Sequence, residues 1–276
     1  MIAVLGEGGA LGAALRERSG EVHTLIDADV EMALRRLNAR PSALVAPAGP
    51  DNGGRWMEAL RLAEAQGVPL VVLSSLGTVA GGWRPDIHVE EDAPYGDGAG
   101  QPALRALIKA ETKLMLRAER RHVPLTVVRL PLLVGPGCEA SRDLKALLDL
   151  AVHPAASALR GGLHLGDVRD VAALVLRVLR CVGEWRVVHA TGHAVSVPTL
   201  VMLLRDAGYP MATDGLEGRQ ALQIARAAAG AMFGRPGGGP AAVLTRHWGA
   251  ASLVAGRHLQ HHPRGLRQSF VDMAGA

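Results

Sequence analysis

The sequence predicts an α/β protein built on a doubly wound parallel sheet with helices on both faces, and three observations predict it. Short apolar runs alternate with helical stretches from Ile2 to His189. Two of the runs, Val68–Leu73 and Leu125–Val128, read as strands buried on both faces, the first of them β-branched or leucine apart from Pro69. The first run ends in a glycine turn that leads directly into a helix.

Taken in order, Ile2–Leu5 is a strand that stops at Gly6, and Ala10–Arg18 collects its apolar residues on one side of a helix. Val22–Ile26 is the next strand, closed by Asp27. It is followed by a helical stretch, Val30–Leu37, and a third strand, Ala43–Ala46. Trp56–Gln66 is a helix ended by Gly67, and Val68–Leu73 is the next strand. Gly77–Gly100, rich in Gly, Pro and acids, is a long loop, a feature more often functional than idle in a compact domain. Helix Pro102–Arg120, strand Leu125–Val128, helices Asp143–Ala151 and Val168–Leu179, and strand Arg186–His189 continue the alternation. Ser196 is placed to cap a helix at Thr199–Ala207, which Gly208 stops. Beyond Tyr209 the pattern becomes Ala-rich helix broken at Gly234–Pro240. The expected division is a core over 1–190 and a small, mainly helical, dependent region over 191–276 on the substrate side.

Composition narrows the function classes. Of the 276 residues, 49% are hydrophobic and 20% charged, which excludes disorder, and 2 Cys exclude a disulfide framework. A reducing, cytoplasmic location is the expectation. Aromatic residues make up only 3%, too few for the stacking platforms of single-strand nucleic-acid binders. The excess of 30 Lys+Arg over 26 Asp+Glu is mild and implies neither DNA nor a membrane surface. The seven Arg from Arg219 to Arg267, with no acid among them, favour an anionic partner for that segment, or a solvated basic face. No secretory leader is expected at the start, and no apolar run reaches the ~20 residues of a membrane span.

The turn Gly6-Glu7-Gly8-Gly9-Ala10-Leu11-Gly12 places glycines at a spacing of three between a strand and a helix. Glycine permits the tight turn, lets backbone N–H groups approach a diphosphate, and lets helix and strand pack closely. Asp27 stands 21 residues after Gly6, where a carboxylate accepts hydrogen bonds from an adenosine ribose and repels a 2′-phosphate. The expected ligand is NAD, with NADP less favoured. Glu7, inside the turn, has to point to solvent to avoid opposing the phosphates.

On these and further residues the sequence resembles the extended short-chain dehydrogenase/reductase family, in the manner of the NAD-dependent epimerase/dehydratases. The glycine turn is similar to the family's cofactor fingerprint, and Leu73-Ser74-Ser75-Leu76-Gly77-Thr78-Val79-Ala80-Gly81 to its strand ending in a serine run. Glu91-Asp92-Ala93-Pro94 resembles the acidic loop that follows, and Lys109-Ala110-Glu111 the start of the helix with the active-site lysine. Val128-Arg129-Leu130-Pro131 with Gly135-Pro136-Gly137, and His164 through Ala172, resemble two later elements. The resemblance implies a Rossmann-like core and a C-terminal region closing over a small-molecule substrate. It also implies a homodimer packed through helices that include the one with Lys109. It assigns cofactor contacts to Gly6, Gly9, Ala10, Leu11, Gly12, Asp27, Ala48, Ser74 and Lys109.

The family's tyrosine, four residues before the lysine, falls on Arg105, and its catalytic Ser or Thr on Leu76. Arginine stays protonated, with a pKa above about 12, and leucine offers no hydrogen bond, so neither performs the family's proton transfer. The candidates for that chemistry are Ser75, Tyr95 and His164, with Lys109 on the cofactor ribose and Arg105 as a fixed cation for an anionic substrate. The expected activity is that of a reductase or epimerase with a non-standard proton donor. The alternative is a cofactor-binding sensor or partner subunit without redox turnover. The span from Asp27 to Val30 also looks shortened by a βα unit.

His258, His261 and His262 lack a carboxylate before Asp272 and are not expected to hold a metal. Cys138 and Cys181, far apart in sequence, read as small buried hydrophobes. The absence of G-x-S-x-G and of G-K-[ST] excludes an α/β-hydrolase elbow and a P-loop.

Overall fold

Six parallel strands form the central sheet, in the order β2-β1-β3-β4-β5-β8. They are β1 (Ile2–Leu5), β2 (Val22–Leu25), β3 (Ala43–Ala46), β4 (Leu70–Ser75), β5 (Leu125–Leu130) and β8 (Val187–His189). The computed structural model describes residues 1–6, 9–25, 40–47, 52–79, 90–96, 102–139, 141–151, 159, 161–209 and 250–275. The expected helix Val30–Leu37 and the Ala-rich segment beyond Tyr209 as far as 249 lie outside them, as do Asp27 and Ala48.

The order of the strands follows from which face each connecting helix covers. Helix α1 (Gly9–Arg18) packs with α5 (Val168–Val178) on one face, and α2 (Asn52–Gln66) with α3 (Pro102–Arg120) on the other. Alternate residues of each strand therefore enter two separate cores. Val4, Val71, Leu73 and Val128 join α1 and α5, while Ala3, Leu70 and Val72 join Trp56, Leu60 and Leu114 of α2 and α3. This is a doubly wound, Rossmann-like α/β fold. The order of strand addition reverses at β1, because β2 lies to one side of it and every later strand of this sheet to the other. Among the described residues β2 is the edge, in keeping with the short span before β3.

A second sheet, not anticipated from the sequence, sits beside the first. β6 (Leu132–Val134) pairs parallel with β7 (Gly162–Asp167), and β7 pairs antiparallel with β9 (His193–Ser196). These strands are short and come within a residue or two of other elements, so their periodicity is invisible in sequence. Pro131 breaks the β5 ladder and turns the chain into β6. At Gly192 a Cβ would lie 1.9 Å from the Leu165 carbonyl oxygen, so only glycine lets the chain cross β7 there. Ser196 caps α6 (Val197–Asp206) by accepting from the Thr199 N–H, and α6 packs on α4 (Arg142–Ala151).

Residues 250–275 are woven into this core. They contain a π-type turn at Val254–His258 and helix α7 (Leu266–Ala274), which packs on α6 and β7. Asp167, buried at the end of β7, is the anchor. It caps α5 by accepting from the Arg169 N–H at 2.8 Å, binds the Arg169 guanidinium at 2.6 and 2.9 Å, and accepts from Ser269 Oγ of α7 at 2.7 Å. Arg264 reaches the neighbouring Asp170 at 2.8 Å, and Arg169 reaches Asp272 of α7 at 2.6 Å. Cys138 and Cys181 are free thiols; burial pushes Cys138 up to about 12, whereas Cys181, expected to be buried, is only half-buried. Among the described residues no helix is long and apolar enough to cross a membrane, and no group of His, Cys, Asp or Glu is arranged to hold a metal ion.

Burial alone would raise the Asp167 carboxyl. The hydrogen bonds from Arg169 and Ser269, with the charge of Arg264, nevertheless hold it below the ordinary carboxylate value. Asp167→Asn is expected to cost about 1–3 kcal/mol near neutral pH. Since the folded value lies below the unfolded one of about 3.9, this contribution is complete above that pH and is lost as pH falls through the lowered value. Urea unfolding of both proteins, at neutral pH and in acid, should show the difference shrinking on the acid side.

Candidate functional site

Three polar residues in register cross the C-terminal end of the sheet. Ser74 of β4 pairs with Arg129 of β5, which pairs with His189 of β8. Strand alternation points this row toward the face covered by α2 and α3. There α3 answers with Glu111, set in a buried stripe with Leu104, Leu107, Leu114 and Ala118. A carboxylate in that stripe is 0% exposed and the guanidinium opposite 3%, so both charges must be met inside the protein.

They are met completely. Arg129 donates to Glu111 Oε1 from Nε at 2.9 Å and from Nη2 at 2.6 Å. Ser74 Oγ donates to Oε2 at 2.5 Å, and the Tyr95 hydroxyl donates to Oε1 at 3.0 Å. The Arg129 guanidinium also lies 5.1 Å from the centre of the Tyr95 ring, a cation–π contact. Arg129 Nη1 meets His189 Nε2 at 3.2 Å; because arginine only donates, Nε2 accepts, and Nδ1 carries the hydrogen given to the Ala251 carbonyl at 3.2 Å. His189 is thereby fixed as the neutral tautomer. The same loop brings Glu91 to the His189 N–H at 3.5 Å, and Ser252 Oγ donates to the Glu91 carboxylate. Residues 90–96 and 250–252 are thus both fastened over the ends of β4, β5 and β8.

Tyr95 is half-buried, and its loop is held by the Gly96 N–H donating to the Thr78 carbonyl at 2.8 Å. Burial raises the phenol pKa, the Glu111 charge raises it further, and Arg129 opposes both. Ser75, half-buried at the end of β4, accepts from the Gly77 N–H at 3.1 Å and caps the 3₁₀ turn Leu76–Thr78, in which Leu76 is buried. Ser75 and Tyr95 therefore flank the same turn. Arg105 and Lys109 lie one helical turn apart on the exposed side of α3, away from Glu111. His164 sits apart from them in the second sheet, 4% exposed, where the Gly192 N–H donates to Nε2 at 2.8 Å and the Ala250 N–H meets Nδ1 at 3.2 Å.

The glycine turn occupies the point where strand order reverses. Gly6 and Gly9 adopt φ of +89° and +53°, left-handed backbone that favours glycine. Ala10, Leu11 and Gly12 continue into α1, with Leu11 and Gly12 buried against the fold. Among the described residues a Cβ at Gly9 would meet nothing within 4 Å. The Gly135–Gly137 loop approaches the same helix start, Gly137 lying opposite Ala10. From the other face of the sheet, Arg55 of α2 brings its Nη1 to 3.1 Å from where a Gly6 Cβ would stand. A glycine-lined turn with a cation beside it fits the diphosphate of a dinucleotide.

Reasoning from sequence alone passed over Glu111, Arg129, His189, Glu91, Ser252 and Arg55 as participants. For Glu111 a signal existed, a lone acid in an otherwise apolar helical stripe. For Arg129 it was an ion in a buried strand.

No family model matches the chain, and no curated protein matches it in sequence. Solved structures share its fold. The dTDP-glucose 4,6-dehydratase of Bacillus anthracis in complex with NAD is 13% identical over 99% of this chain and 95% of its own, with a TM-score of 0.70. The UDP-glucose 4-epimerase of Thermotoga maritima with UDP-glucose is 14% identical over 100% of this chain and 98% of its own, with a TM-score of 0.68. The UDP-glucuronic acid 4-epimerase of Bacillus cereus, in complex with NAD and a fluorinated UDP-sugar, is 14% identical over 99% and 98%, with a TM-score of 0.69.

Glu111→Leu alone would leave the Arg129 charge buried without a counter-charge and is expected to cost about 3–5 kcal/mol. Adding Arg129→Met removes that orphan, and chemical denaturation should find the double variant more stable than the single one. The chain has 2 Tyr, and both phenols are raised, Tyr209 by burial and then by Asp149. Absorbance titration of the folded protein should therefore show phenolate forming only above the unfolded value of about 10. The unfolded chain loses those protons first, so stability is full below that pH and declines as pH rises through the folded values.

Proposed function

We propose that this protein binds a nicotinamide dinucleotide across the crevice between β1 and β3 and is an oxidoreductase of the epimerase or dehydratase type, acting on a small anionic metabolite. The observation that carries the reading is the glycine turn, with Gly6 and Gly9 at positive φ, at the reversal of strand order. In open α/β sheets ligands bind outside the carboxyl ends of the strands at such a point. The dehydratase and the glucuronic acid epimerase of this fold are each complexed with NAD, which supports the cofactor class. Gly6, Gly9, Ala10, Leu11 and Gly12 receive the diphosphate, and Asp27, with Ala48, receives the adenosine ribose and favours NAD over NADP.

The bound nicotinamide supplies or accepts hydride. Tyr95 handles the proton at the substrate oxygen. Burial and the Glu111 charge keep its phenol protonated near neutral pH, so it is held in the proton-donating form. Glu111, held by Arg129 and Ser74, positions the phenol. Ser75 offers a second hydroxyl at the end of β4. Lys109 serves the cofactor ribose, and Arg105 supplies fixed positive charge for the substrate anion. His164 accepts from the Gly192 N–H at Nε2 and so braces residue 192.

One observation favours the second reading, a cofactor-binding partner without turnover. The hydroxyls of Ser74 and Tyr95 both donate to Glu111, and Leu76, where the resemblance places the family's catalytic hydroxyl, is buried.

Titration calorimetry should show NADH binding more tightly than NADPH, and Gly9→Val, which forces a β-branched residue into left-handed backbone, should weaken it. In the presence of a panel of anionic carbonyl compounds NADH should be oxidised. Tyr95→Phe should lower that rate by about 10²–10⁴ while leaving binding intact. Absence of NADH binding overturns the proposal, whereas binding without turnover on any compound establishes the second reading.

A further inference from the structure

Arg55 occupies an electrostatically unfavourable place. It is the fourth residue of α2, in the first turn, where the partial positive charge of the helix terminus repels a cation. Neither α1 nor α2 has an acidic residue in its first turn. Arg55 is exposed, and among the described residues no hydrogen bond or ion pair accounts for it. By contrast, Arg129, Arg169 and Arg264 are each paired with carboxylates.

Its side chain is nevertheless not directed idly outward. The helix lies on the α2–α3 face of the sheet, and from there Nη1 reaches 3.1 Å from the Cβ position of Gly6, just past the end of β1. The guanidinium therefore lies beside Gly6, at the point where strand order reverses. A side chain at Gly6 would press on the guanidinium, so the glycine both adopts its φ of +89° and leaves room for the cation.

We propose that Arg55 is a clamp for the diphosphate of the dinucleotide, closing on it from the α2 side while the turn between β1 and α1 holds it from the other. This rests on the dinucleotide reading above. The planar guanidinium keeps its charge at every working pH and offers two parallel N–H donors to phosphate oxygens, a geometry lysine lacks. The ligand's charge also offsets the repulsion between Arg55 and its own helix terminus. Arg55 thus recognises the part shared by NADH and ADP-ribose, and contributes nothing to a nucleoside without phosphate.

The test is calorimetry with NADH, ADP-ribose and adenosine on the wild-type protein, Arg55→Gln and Arg55→Lys. Arg55→Gln should weaken NADH and ADP-ribose alike by about 10- to 100-fold, leave adenosine unchanged, and leave the ligand-free melting temperature undiminished. Arg55→Lys should recover part of the loss, through charge without the fork. If Arg55→Gln binds NADH as tightly as wild type while wild type binds normally, the clamp is wrong and the dinucleotide reading stands. A loss for NADH but not for ADP-ribose also overturns the clamp. If wild type binds neither NADH nor ADP-ribose, both fall together.

Discussion

The buried pairing of Glu111 with Arg129 is the constraint to which the functional end of the sheet is fitted. Moving either ion out of water costs several kcal/mol, and the pair is tolerated only where every strong donor and acceptor is answered. That requirement reaches well beyond the two residues. It draws Ser74 from β4, Tyr95 from the loop after it, and His189 from β8 onto one point, each by a hydrogen bond. A helix, three strands and a loop widely separated in sequence therefore share one charged node. Polar networks of this kind specify geometry more than they add stability.

The node also determines what the candidate chemistry is able to do. Tyr95 is the one candidate proton donor whose hydroxyl touches it, and its phenol is protonated because burial and the adjacent carboxylate both disfavour the anion. The electrostatics of a phenol poised beside a cation alone would be opposite. Here the carboxylate stands between the guanidinium and full activation of the tyrosine. The two readings of function part at this point. Either the hydroxyl hydrogen turns outward toward a substrate oxygen, or it stays with Glu111 and the crevice binds without reacting.

A second anchor, Asp167, does for the C-terminal segment what Glu111 does for the sheet. It joins the start of α5 to Ser269 of α7, and its neighbours Asp170 and Asp272 complete a belt of ion pairs with Arg264 and Arg169. Histidines extend the belt. His261 donates to the Thr191 carbonyl at 2.7 Å and His193 to the Arg264 carbonyl at 2.9 Å, while Ala251 and Ser252 close over His189 and Glu91. The basic character of the segment from Arg219 to Arg267 thus has, at Arg264, an internal partner.

The amino-acid sequence by itself determined the layer architecture, because that depends on local periodicity. The strands β1, β3, β4 and β5, the helices α1, α2 and α3, and the glycine turn that opens α1 are all written in runs of a few residues. The short strands of the second sheet escaped, because three or four residues wedged against a proline or a helix cap carry no distinct period. What only the tertiary structure decided is which polar residues meet. Ser74, Glu111, Arg129 and His189 are distant in the chain, and each separately resembles an accident of pattern. A charge buried in low dielectric has to find its partner across the fold, and that partner is set by strand register and helix rotation, which no local run of sequence contains.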